Sequence, residues 1–228
     1  MLVGAIDSSL DAGWLEALDD EGRLRTGKAQ EIADGFIPGE GAAFLRLAAP
    51  GTAARQMAGG DAGAGAAVGA DASGDRRGQP IAHIRGVGRA REAGHFYSDQ
   101  PHRGDGLAAA FAALFAATGA GNPPRDAGRD DDAGRDDGGD VGCVYAGLNG
   151  ESYWAKEWGV AQIRSAGRLR KRLRVEHPAD CIGDAGAALG LVMLGLGAMA
   201  LARGRIEGDC LIWAGADRGE RAAALLSP

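Results

Sequence analysis

The sequence predicts an α/β protein with a mixed sheet and one buried helix. Strand-like and helix-like segments alternate along the chain, the pattern of layered α/β folds. Residues 185–202, AGAALGLVMLGLGAMALA, carry no charge between Asp184 and Arg203, as a central helix would. The chain is 228 residues long, with 45% hydrophobic and 25% charged residues, enough for a sizeable core.

Residues 2–6 are apolar and read as a strand. The segment Asp11 to Asp20 reads as a helix with Asp11 as its cap and Trp14, Leu15 and Leu18 on one face. Gly22 and Gly27 break it, and GFIPGEG at 35–41 forms a turn before a strand over 42–47. Residues 81–90 read as a long strand. A helix follows from Gly104 or Asp105 to Thr118, with Leu107, Phe111, Leu114 and Phe115 as its stripe. A strand is expected at 141–146, a helix at 152–166 with Trp154 and Trp158 on one face, and a short strand at 173–175. The buried helix spans 183–202, and strands at 210–214 and 221–226 close the chain.

Two stretches lack the apolar residues that ordering requires. Residues 51–80, and 59–78 above all, read as a flexible insertion rich in Gly, Ala, Asp and Arg. Residues 119–140 include DAGRDDDAGRDDGGD, an acidic linker without the ligand spacing of a calcium loop.

Composition excludes several function classes. Formal net charge is −6, which argues against a generally basic nucleic-acid binder. The basic run RSAGRLRKRLR at 164–174 has no interleaved aromatics for base stacking; it reads as a solvated helix end, or as a contact for phosphate groups or an acidic carrier surface. The N-terminal segment MLVGAIDSSLDAG has no basic start and resembles no leader. The apolar stretch at 185–202 is at the lower length limit of a bilayer span and contains Gly186 and Gly190 as GxxxG; its small residues and flanking strands favour a buried helix. Cys143, Cys181 and Cys210 are too few for a disulfide framework and suit a reducing cytoplasm. Cys143 and Cys210 fall in strands, and Cys181 falls at a helix entry, where the helix dipole lowers a thiol pKa.

At this point four segments resemble the β-ketoacyl-ACP synthase family of the thiolase-like fold. VGAIDSSLDAGWLEAL and DGFIPGEGAAFLRL at 34–47 are similar to the strand, helix, turn and strand at the end of the family's first half. CIGDAGAALG at 181–190 resembles the start of its buried C-terminal helix, and LIWAGADRGERAAALL at 211–226 its closing strand pair. The resemblance implies that residues 1–50 are the end of the first half and residues 81–228 the second half. It also implies that the chain lacks the strand-to-helix turn carrying the family's Cys nucleophile.

The family's two active-site His residues belong to the second half. The stretch matching the first is YAGLNGES, with Gly147 at the His position; that matching the second is ADCIGDAGAA, with Asp180 there. Glycine offers no imidazole to a developing oxyanion, and an ionised Asp would repel one. Weak catalytic candidates are His102 in SDQPHRGDG and Cys181. His102 reads as ordinary polarity at a helix entry, or as half of a catalytic pair or one end of a metal site. Asn149 and Glu151 are either ligand contacts or a turn and a helix cap. No HxxxH or CxxC spacing occurs, so no metal is expected, and the resemblance implies no cofactor.

The expected function is a β-ketoacyl-ACP synthase-like protein without condensing activity. It would bind an acyl group or a carrier protein, or partner an active synthase, with a dimer as one arrangement. The alternative is an active acyltransferase whose Cys lies upstream or on a separate chain. Neither nucleic acid nor membrane is an expected partner.

Overall fold

The computed structural model describes residues 1–25, 34–49, 80–119 and 139–228. Nearly all of the insertions read at 51–80 and at 119–140 lies outside the described residues.

The elements run β1 (Leu2–Ser8), α1 (Ala12–Asp20), β2 (Glu40–Arg46), β3 (His83–Arg91), α2 (Asp105–Ala117), β4 (Val141–Ala146) and α3 (Ser152–Arg164). They continue with β5 (Leu169–Glu176), α4 (Ala179–Ile182), α5 (Ala187–Ala202), β6 (Asp209–Gly215) and β7 (Glu220–Ser227). A five-stranded sheet has the order β3-β7-β6-β4-β5, parallel across β6-β4-β5 and antiparallel across β3-β7-β6. β1 and β2 form a separate antiparallel pair.

Alternation along the central strands sorts side chains onto two faces. On one face Val144, Ala146, Leu211, Trp213, Ala223 and Leu225 meet Leu107, Phe111 and Leu114 of α2 and Trp154, Trp158 and Ala161 of α3. On the other, Cys143, Tyr145, Cys210 and Ile212 meet Leu189, Met193 and Leu201 of α5. α5 also packs against β1 and β2. It lies between two sheets, which explains why no charge interrupts it. No helix among the described residues is long and apolar enough to cross a membrane.

Four sequence expectations change. The basic run is not a helix end: after α3 stops at Arg164, a turn of 3-10 helix leads into β5. Its strand is longer than 173–175 because Leu169, Leu173 and Val175 join the core while cations occupy the sheet edge, where charge is tolerated. The helix expected over 183–202 starts only at Ala187, because Gly183 and Gly186 take φ of 76° and 52° and separate it from the short α4. Gly186 is therefore the entry to α5 and not part of a helix-packing GxxxG face. Trp14 is 47% exposed while Leu18 alone of its stripe is buried.

Candidate functional site

A pocket of about 470 Å³ opens where β4 and β6 end. The C-terminal edge of parallel strands is where open α/β sheets receive ligands. Gly147 follows β4; Ala214 and Gly215 end β6; Asp7 and Ser8 end β1; Gly186, Leu189 and Gly190 come from the start of α5. Trp14, Leu18, Phe36 and Trp154 supply apolar wall.

The polar part of the wall is predominantly acidic: Asp7, Asp184 and Asp217 against Arg23. The start of α5 would ordinarily attract an anion. Here Asp7 Oδ2 accepts from Ala187 N at 2.8 Å, and Asp184 Oδ1 accepts from Gly186 N at 2.9 Å. Those amides are already engaged by carboxylates. Arg23 is engaged too: it donates to Glu151 at 2.7 and 3.1 Å and to Asp217 at 2.7 Å, with its guanidinium 4.4 Å from the Phe96 ring centroid. Burial alone would lower its pKa; hydrogen bonds and charge from Glu151 and Asp217 overcome that and move it upward.

The sequence-selected residues separate in space. Gly147 lines the pocket, and a Cβ there would meet Trp213 O at 3.1 Å and Ala214 Cα at 3.3 Å. Asn149 and Glu151 sit behind the wall. The Asn149 side-chain amide donates to Glu151 at 3.0 Å and to Asp184 at 2.9 Å, and Trp154 Nε1 donates to Glu151 at 3.1 Å. Asp180 and Cys181 lie on the four-residue α4, which has neither the length nor the aligned amides of a dipole site. Asp180 pairs with His177 at 2.7 Å, and Cys181 is exposed. Cys143 and Cys210 are buried neighbours across β4 and β6; the hydrogen bond between them and burial push the Cys210 thiol up. Among the described residues, neither thiol nor imidazole lines the pocket.

His102 is elsewhere and is not surface polarity. Its side chain is 14% exposed, its ring stacks on Tyr153 at 3.8 Å, and its Nε2 lies 3.6 Å from Glu157 Oε2. Burial lowers its pKa, opposed by the charges of Glu157 and Glu92. Both glutamates are buried and cap α2, whose Gly104 has no side chain to do so. Glu92 Oε2 accepts from Gly106 N at 2.7 Å and Glu157 Oε1 from Leu107 N at 3.0 Å. Arg221 Nε donates to the same Glu157 oxygen at 2.8 Å, and Arg221 Nη2 donates to the Tyr153 hydroxyl at 2.9 Å. Burial pushes the Tyr153 hydroxyl up to about 12. The sequence reading missed Arg23, Glu92, Glu157, Asp184 and Asp217. Glu157 did leave a signal, for it sits on the apolar stripe of Trp154, Trp158 and Ala161.

No family model matches the sequence, and no curated protein does. Solved structures do match, over nearly the whole chain. The ishigamide ketosynthase/chain length factor aligns over 99% of this chain with a TM-score of 0.68 and 14% identity. The fold is thiolase-like. A type II polyketide acyl-carrier protein in complex with its ketosynthase bound to the hexaketide aligns over 100% of the chain, with a TM-score of 0.69 and 13% identity. A β-ketoacyl synthase from Burkholderia phymatum aligns over 100%, with a TM-score of 0.63 and 15% identity. The chain spans about half the length of these thiolase-like structures, 53%, 55% and 54% in turn. The layering of α5 between two sheets thus agrees with the fold expected from the sequence resemblance.

Proposed function

We propose that this chain is a non-catalytic β-ketoacyl synthase-like protein that binds an acyl group or its carrier. The observation that carries the reading is the pocket wall. Gly147 stands at the position the resemblance assigns to an imidazole, backbone atoms crowd that position, and Asp7, Asp184 and Asp217 stand in the same wall. A developing oxyanion there would meet negative charge and no preorganised donor. The apolar wall of Trp14, Leu18, Phe36, Trp154 and Leu189 suits an acyl chain. One thiolase-like neighbour was solved with an acyl-carrier protein, which supports a carrier as the partner. Fatty acid or polyketide biosynthesis, in a cytoplasmic setting and without nucleic acid, is the context this reading implies.

A second reading has its own observation. The outer face of the β1–β2 pair leaves Leu2, Ile6 and Phe44 in solvent, and β1 pairs on one edge only among the described residues. Such a surface supports pairing with another synthase-like chain, in a dimer, that contributes a nucleophile.

The test is calorimetric titration with an acyl pantetheine thioester. Saturable binding that Gly190→Leu weakens at least tenfold, with no covalent adduct by mass spectrometry, supports the binding reading. An absence of binding, or a stoichiometric acyl-protein adduct, overturns it.

A further inference from the structure

The His102 cluster has a chemistry that neither acyl binding nor α2 capping uses. Glu92 and Glu157 are 2% and 0% exposed, and Arg221 beside them is 1% exposed. Two buried carboxylates share one buried guanidinium, a costly arrangement in a dry interior unless further partners satisfy them. Glu157 Oε2 and His102 Nε2 are both buried atoms without a hydrogen-bond partner. Orphaned polar atoms of this kind call for an explanation, an ion being one. They face each other across 3.6 Å, so an ion between them would satisfy both.

We propose that Glu92, His102 and Glu157 bind one divalent transition-metal ion. One ligand atom from each residue lies within 4.8 Å of the other two. Ligands of a tetrahedral ion with bonds of about 2.0–2.1 Å stand about 3.3 Å apart. The His102–Glu157 separation of 3.6 Å is close to that value. The remaining contraction falls to the loop between β3 and α2 that carries His102. One imidazole and two carboxylates favour Zn²⁺ or Mn²⁺ over Ca²⁺ and Mg²⁺, which prefer oxygen alone. Arg221 holds the other Glu157 oxygen, and the amides of Gly94 and Gly106 hold Glu92, so the carboxylates are oriented from behind. Glycine and proline punctuate the loop, and local spacing gives no motif. The three ligands come from the end of β3, this loop and the middle of α3. The bound ion would join those three elements, which makes its role structural.

The experiment uses the full chain, stripped with EDTA and titrated calorimetrically with ZnCl₂ and with MnCl₂. The expected result is one ion per chain at micromolar affinity or tighter. His102→Ala and Glu92→Gln should each weaken it at least about tenfold, with circular dichroism confirming the fold. X-ray absorption of the wild-type 1:1 zinc complex provides a readout that needs no variant: a nitrogen and oxygen shell with imidazole scattering. Lack of stoichiometric binding, affinity unchanged in both folded variants, loss on His177→Ala instead, or a sulfur shell would each overturn the site.

Discussion

Two buried glutamates, one at the start of α3 and one within it, carry their charge in different ways. Glu151 precedes α3 and receives Arg23, Asn149 and Trp154 on its carboxylate. Glu157 lies within α3 and receives Arg221 and the Leu107 amide on one oxygen, while the other faces His102 at 3.6 Å with no hydrogen-bond partner. A fully satisfied network fixes geometry, and so Glu151 holds the back of the pocket rigid. A half-satisfied network at equal depth holds unused binding capacity. The comparison separates framework from site without reference to sequence position.

Removing each arginine in turn has the largest expected effect on the two glutamates. Arg221→Ala strands Glu157 in the core and should cost about 3–5 kcal/mol, the usual penalty for halving a buried pair. Arg23→Ala leaves Glu151 with Asn149 and Trp154 and should cost about 1–3 kcal/mol. Urea unfolding of both variants decides this, and equal losses would erase the distinction drawn between the two glutamates. Gly147→His tests the pocket wall. Its Cβ would press on Trp213 and Ala214, so the side chain should cost about 1–3 kcal/mol by overpacking. A thermal melt unchanged from wild type would mean that the wall yields readily enough to take an imidazole. The smallest expected effect is outside both clusters. Asp11 accepts from Gly13 N and Trp14 N at the start of α1, and Asp11→Ala should cost about 1 kcal/mol in the same urea assay. A larger loss would show that α1 holds the pocket wall more firmly than its exposed face suggests.

Much of this fold was legible because its signals are local. The stripe of Leu107, Phe111 and Leu114 gave α2, and the uncharged stretch at 185–202 gave most of α5. β5 was under-read because an edge strand with Arg170, Arg172 and Arg174 looks like a solvated run until its neighbour β4 is known. The break before α5 was hidden because Gly183 and Gly186 matter through their backbone angles, which the letters alone do not reveal. The pocket was legible at Gly147, where the resemblance pointed. It was not legible at Arg23, Asp184 and Asp217, which distant segments bring together. His102 was noticed for its own chemistry, but its two carboxylate neighbours come from β3's end and α3. Burial also changed its meaning from surface polarity to a buried ring nitrogen without a hydrogen-bond partner.

We propose that this pocket does not support condensation chemistry. The most direct measurement is malonyl-thioester decarboxylation and condensation by the purified chain alone. The account predicts product at the level of the buffer control. It predicts the same for Gly147→His combined with Asp180→His, because no cysteine is among the described residues lining the pocket. Turnover well above buffer, abolished by Cys181→Ala or His102→Ala, would contradict the account and move the active site to those residues.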